Sequence, residues 1–199
     1  MAYLRIAEAR QAAQSATSPL RKSASQVLRE EAGALRDSST FDVFLSHSYD
    51  DAEVILGVKK IMESIGLKVY VDWIDDEGLD RGNVTRKTAA ILRMRMRNSS
   101  SLVYAHSESS GDSKWMPWEL GYYDGFRPGC LWVLPIVANY DSEFESQEYL
   151  GLYPAVEKIA DLYGRLNLGI SDVGSGASKR DISLKEAAPK SLAISFTGL

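Results

Sequence analysis

Residues 113–125 read SKWMPWELGYYDG, two tryptophans and a proline crowded around one carboxylate, Glu119. Trp115 and Glu119 are four apart and Trp115 and Trp118 three apart, spacings that share a helix face if the helix reaches back to Trp115. Pro117 belongs in the first helical turn, because deeper in a helix it removes a hydrogen bond and clashes with the preceding turn. Glu119 is then expected in that turn too, where the helix dipole favours its ionised form. An aromatic plate beside a carboxylate suits a ligand with a flat ring on one side and a polyol or developing positive charge on the other. Taken alone, the stretch fits a blander arrangement slightly better: a first-turn acid that only answers the dipole, and tryptophans that only fill a core.

Other chemistries have weaker footing. His47, His106 and Cys130 lack metal-ligand spacing, and one cysteine with two histidines is too little for a structural zinc site. Cys130 opens an apolar run and reads as a buried, inert thiol. Asp75, Asp76, Glu77 and Asp80 lack the alternation and closing glutamate of a calcium loop, and read as a solvated turn. Gly174 and Gly176 follow no strand, and no phosphate-binding loop of the G-x-x-x-x-G-K-[ST] kind occurs, which counts against ATP or GTP hydrolysis. No metal is expected. A net charge of −4 and a pI near 5.3 argue against a nucleic-acid surface.

The elements that must position Glu119 follow from the apolar pattern. FDVFLSHS, from Phe41, is a buried strand entering a loop. Asp50 or Asp51 can cap a helix with Val54, Ile55, Val58, Ile61, Met62 and Ile65 on one side, stopped by Gly66. LKVYVDW is a second strand, followed by the polar loop IDDEGLDRGN and a helix through Ala89, Ala90, Leu92 and Met96. SSLVYAHS is a third strand, leading through a loop to the Trp115 helix, and CLWVLPIV is a fourth. Residues 151–163, GLYPAVEKIADLY, fit either a last strand or a turn entering a helix.

Residues 1–40 form a helical extension of two helices, the second starting with Ser18 as N-cap and Pro19 at its first position. Leu20, Ala24, Val27, Leu28 and Leu35 give it an apolar stripe, as expected of a cap packed on the main domain. Residues 164–199 are polar and Gly/Ser-rich, a tail expected to be partly ordered at most. The longest apolar run, Cys130–Ala138, is interrupted by Pro135 and too short to span a bilayer. A lone cysteine suits a reducing compartment, so a cytoplasmic location is expected.

Strands alternating with helices predict an α/β fold, a parallel sheet of about five strands with helices on both faces. In the flavodoxin-like order 2-1-3-4-5, ligands bind beyond the strands' carboxyl ends, between the first and third strands. The first ends in Ser46-His47-Ser48 and the third in Ala105-His106-Ser107, so Glu119 is expected at the mouth of that crevice.

FDVFLSHS at the first strand, YVDW before a long polar loop and WMPWE after the third strand together resemble a TIR (Toll/interleukin-1 receptor) domain over residues 41–163. The W-x-x-x-E spacing, Trp115 to Glu119, is similar to the motif of TIR enzymes that cleave NAD at its nicotinamide–ribose bond. A short bacterial chain with one such domain resembles the signalling component of Thoeris-type antiphage defence, which makes a cyclic ADP-ribose isomer for a separate effector. The resemblance implies Glu119 as catalytic carboxylate and Trp115 as stacking surface. It implies that Ser46, His47 and Ser48 line the nucleotide pocket, and that Asp72 closes the second strand. Trp73 opens the loop that reorganises on assembly, and Arg81 is the cation of that loop that would meet a phosphate.

NAD is then the substrate, with no separate cofactor, and self-association through TIR–TIR contacts is implied. Departure of nicotinamide leaves an oxocarbenium-like ribose, which a preorganised carboxylate stabilises. The leaving group is already cationic and needs no acid, so one carboxylate suffices where most glycosidases use two. ADP-ribose or a cyclic isomer results, according to how well the closed pocket excludes water. The competing class is a non-enzymatic TIR adaptor acting by contact alone, which has no physical need for Trp115 beside Glu119. A receiver-like domain of the same topology would need an acidic cluster ending its first strand, where this chain has Ser46-His47.

Overall fold

The most apolar runs become the centre of the sheet. β2 (Phe41–Ser46), β4 (Ser99–His106) and β5 (Leu131–Val137) are buried along nearly their whole length. Both faces of each strand are covered, so alternate residues enter different cores. Val43, Leu45, Val103 and Ala105 face one side, whereas Phe44, Leu102, Tyr104 and Val133 face the other. The computed structural model describes residues 3–48, 52–72, 85–107, 110–111, 113–139, 147–160, 166–171 and 182–190.

With β3 (Val69–Val71) and β6 (Ala155–Ala160), the sheet runs β3-β2-β4-β5-β6, parallel throughout. This is the 2-1-3-4-5 order expected, with the crevice between β2 and β4. Of residues 151–163, those described, 151–160, form the end of a 3₁₀ turn (Glu148–Leu152) and strand β6. Among the described residues the sheet has eight strands. β1 (Leu4–Arg5) pairs parallel with the end of β5, Leu4 opposite Ile136. β7 (Leu166–Ser171) and β8 (Ile182–Ser183) add antiparallel to the far edge. Ordered structure thus continues past Gly164: Leu168, Leu184 and Ala188 are buried, the last two on α6 (Leu184–Lys190).

On one face lies α3 (Ala52–Ser64), ended by Gly66 with φ +88°, a left-handed backbone suited to glycine. The proposed caps Asp50 and Asp51 lie outside the described residues. α3 is buried on nearly all sides, Lys59 included, because the N-terminal segment lies over its outer face. α1 (Ile6–Thr17) approaches so closely that a Cβ built on Gly57 would stand 1.8 Å from the Ala9 carbonyl oxygen. α2 (Ala24–Gly33) adds Val27 and Leu28 to the same core. Its Glu31 pairs with Lys59 at 2.5 Å and Lys60 at 2.7 Å.

Two helices in this segment match the expectation, but the start of the second does not. Ser18-Pro19-Leu20 forms a 3₁₀ turn with Leu20 exposed, and the N-cap is Ser23, which accepts from the Gln26 N–H at 3.2 Å. The Gln26 side chain answers the Ser23 N–H, a reciprocal capping box that Ser18 cannot form with Arg21. On the opposite face of the sheet lie α4 (Arg86–Arg97) and α5 (Trp115–Phe126). Among the described residues, no helix is long and apolar enough to cross a membrane.

Candidate active site

α5 begins at Trp115 and buries Met116, Leu120 and Tyr123 against the sheet. Lys114 at the N-cap supplies no side-chain bond, and Ser113 Oγ instead accepts the Met116 N–H at 3.3 Å. Pro117 is the third helical residue, inside the first turn as expected. Glu119 is the fifth, so it lies past that turn, and the expectation of a first-turn acid held by the dipole is not met. The helix starts two residues before Pro117, which carries Glu119 one step further in.

What meets the acid is a strand end. Ser46 Oγ donates to Glu119 Oε2 at 2.6 Å, with Ser46 1% and Glu119 3% exposed. The pleat explains the pairing: Ser46 shares a face with Phe44, which packs in the core beneath α4 and α5. A buried carboxylate without donors costs several kcal/mol, roughly, so a short charge-assisted bond here is a substantial stabiliser.

Tyr104 stands beside Ser46 in the β2–β4 register, and nothing in the sequence reading singled it out. Burial first, then Tyr149 and the Glu119 carboxylate, push its phenol well above the ordinary range, so it stays a neutral hydroxyl at any working pH. Its ring lies parallel to that of His106, with centroids 6.4 Å apart. The alternation of SSSLVYAH could have revealed Tyr104, once the third strand's register against the first was known.

The remaining candidates are placed as follows. His47 is buried, and its Nδ1 lies 2.9 Å from the Ser48 carbonyl oxygen, so that nitrogen is the protonated one. Ser48 is buried directly after the strand. Asp72 is buried at the end of β3, on the far side of β2 from β4, with the Tyr70 hydroxyl 3.5 Å from Oδ1. Trp115 is 9% exposed and meets Trp118 edge-on, centroids 5.4 Å apart at 81°. Trp73 and Arg81 lie outside the described residues, as do Asp75, Asp76, Glu77, Asp80, Gly174 and Gly176. Among the described residues, no three His, Cys, Asp or Glu side chains converge as metal ligands would. Ser46, Tyr104 and Glu119 therefore form one buried cluster at the β2–β4 crevice, with Trp115 one helical turn before the acid.

No family model matches the chain. It is 53% identical over 119 residues to a probable 3' cyclic ADP-D-ribose synthase ThsB' of Bacillus cereus (strain MSX-D12), covering 59% of this chain and 61% of that one. It is 33% identical over 95 residues to a putative cyclic ADP-D-ribose synthase TIR2 of Cytobacillus dafuensis, covering 47% of this chain and 25% of that one. The match thus spans about three fifths of the first relative and a quarter of the second. Sheet order and crevice are those of a flavodoxin-like α/β fold, with a buried acid on the helix after the third central strand. Over the matched span the chain is similar to these two bacterial proteins, named as cyclic ADP-D-ribose synthases, probable in one case and putative in the other.

Proposed function

We propose that this chain cleaves the nicotinamide–ribose bond of NAD and closes the ADP-ribose it releases into a cyclic isomer, a signal in antiphage defence read by a separate effector. The observation that carries the reading is the Glu119 carboxylate, 3% exposed and held by Ser46 Oγ at 2.6 Å in the crevice between β2 and β4. The names of the two relatives, both cyclic ADP-D-ribose synthases, support cyclisation over hydrolysis. An adaptor working by contact alone gives no reason to hold a buried acid in this way.

The chemistry follows from the charges. The C1′–N bond breaks with its electron pair passing to the pyridinium nitrogen, so nicotinamide leaves neutral. The positive charge develops on the ribose C1′ and ring oxygen, where a fixed carboxylate stabilises it more than it does the neutral ring of the ground state. A hydroxyl of the same molecule then attacks C1′ and loses its proton, closing the ring, whereas attack by water gives ADP-ribose. Tyr104, a neutral hydroxyl at the acid's side, can hold a ribose hydroxyl without competing for the charge. Trp115 supplies a flat surface for a base.

The test is mass analysis of the small molecules formed when the concentrated protein is incubated with NAD. A cyclic ADP-ribose isomer and free nicotinamide are expected from the wild type. Glu119→Gln, which keeps the shape and loses the charge, should lower the rate by at least about 100-fold with the fold intact, the scale of losing a main electrostatic stabiliser. Wild-type protein that leaves NAD untouched at every concentration overturns the proposal.

A further inference from the structure

A second feature lies at the start of the helix that carries the acid. A groove of about 500 Å³ opens between the start of α4 and the start of α5, lined among others by Arg86, Arg93, Lys114, Trp115 and Trp118. That volume lies within the range of roughly 300–1,000 Å³ usual for small-molecule sites. Among the described residues its three charged lining residues are all cations, and none forms an ion pair with a described carboxylate. The sign is local, not general. α4 contains Arg86, Lys87, Arg93, Arg95 and Arg97 with no acidic residue, in a chain of net charge −4.

The geometry is specific as well. The Arg93 guanidinium sits over the Trp118 ring at 5.2 Å and the Tyr122 ring at 5.8 Å, and Trp118 and Tyr122 stack at 5.8 Å and 15°. Stacking of this kind orients the guanidinium while leaving its N–H groups available to a planar or tetrahedral anion. Cations that pair with no described carboxylate, set beside indoles, match a ligand that joins phosphates to a flat base. Trp115, which lines the groove, is one helical turn before Glu119 on the same helix, so a ligand in the groove can extend from Trp115 towards the acid.

We propose that the groove receives the adenosine diphosphate half of the dinucleotide, with its phosphates on Arg86, Arg93 and Lys114 and its adenine along the aromatic wall of Trp115 and Trp118. This inference rests on the reading of the chain as an NAD-cleaving enzyme. It adds a reason for cyclisation: a groove at the start of the acid's helix holds the adenosine half within reach of the ribosyl carbon, where a free tail would leave that carbon to water. Arg86, Arg93 and Lys114 lie on exposed turns of their helices, so they can be replaced without disturbing the core.

Two measurements test it, with fold checked by thermal melting. In the first, ADP binding to wild type, to Arg86→Ala/Arg93→Ala and to Lys114→Ala is followed by calorimetry. Affinity should fall about tenfold or more in the double variant, the scale of losing one charge-assisted hydrogen bond, and by less in the single one. In the second, KM for NAD should rise by a similar factor and the ratio of cyclic to hydrolysed product should drop. ADP affinity and KM within twofold of wild type in both variants overturn the groove assignment while leaving NAD cleavage intact. ADP binding that depends on Arg86 and Arg93, in a protein that never consumes NAD, supports the groove as a nucleotide site and sinks the enzymatic reading. A change of oligomeric state with no change in ADP affinity also overturns the assignment, because the groove is then a contact surface.

Discussion

Ser46→Ala is the perturbation that isolates the candidate site most cleanly. It removes one hydroxyl from a bond of 2.6 Å whose partners are 1% and 3% exposed, so little water competes for either. A hydrogen bond to a charged group contributes about 1.5–3 kcal/mol. If the hydroxyl fixes the carboxylate where the ribosyl charge develops, a loss of that size lowers turnover roughly 10- to 150-fold. The fold loses stability too, because the buried acid is left without that donor, by about 1–3 kcal/mol. At this chain length that is a melting temperature lower by roughly 2–12 °C. The assay is nicotinamide release from saturating NAD in four proteins: wild type, Ser46→Ala, Glu119→Gln and the double variant. Because Ser46 acts through Glu119, its replacement should add almost nothing once the charge is gone. Turnover within twofold of wild type in a folded Ser46→Ala protein would refute the positioning role. So would a full, multiplicative loss in the Glu119→Gln background, which would mean the serine contributes on its own account.

The N-terminal segment yields two further tests. Gly57→Ala drives a methyl into the Ala9 carbonyl, a contact that only displacement of α1 can relieve, and should cost about 2–3 kcal/mol, read as a lower melting temperature. For Glu8, burial alone would raise the pKa. Hydrogen bonds from the Arg5 side chain and backbone, together with Lys158 on β6, outweigh it and hold the carboxyl at about 2 instead of 4.5. A depressed pKa stabilises fully above 4.5 and loses that contribution as pH falls towards 2, so Glu8→Gln should destabilise by about 1–2 kcal/mol near neutrality, partial exposure discounted, and by progressively less in acid. Unfolding free energies of the pair measured from pH 7 to pH 3 check this, and a constant difference would contradict it.

The sheet order was legible because each central strand carries a short, mostly apolar run and each crossover obeys one handedness. The edges were not. β1 is two residues long and β7 follows a glycine in a polar stretch, so neither has the length or periodicity of a strand until a neighbour pairs with it. Ser18-Pro19 looked like a helix start, yet the reciprocal bond between Ser23 and Gln26 selects the later site. α3 read as one-sided and is buried nearly all round, because Ala9 and Ala13 are small enough to let α1 settle on its backbone. The cations of α4 were invisible as a site for a different reason: on a helix read only for its apolar face, arginines look like solvated charges until a groove collects them.

That failure of local reading also bears on what the W-x-x-x-E spacing means. Placed in the first turn, Glu119 would have been stabilised by its own helix, and the motif would have been self-sufficient. At the fifth position it depends on a hydroxyl arriving from β2, delivered by a strand whose alternation puts Phe44 and Ser46 on one face. The neutral Tyr104 from β4 completes the surroundings without adding a charge. A chain with the same tryptophan and glutamate but an apolar residue at the end of its first strand would bury an acid with no such donor. Exposing that acid or protonating it would then cost less, and either change would remove the fixed negative charge on which the proposed bond cleavage rests.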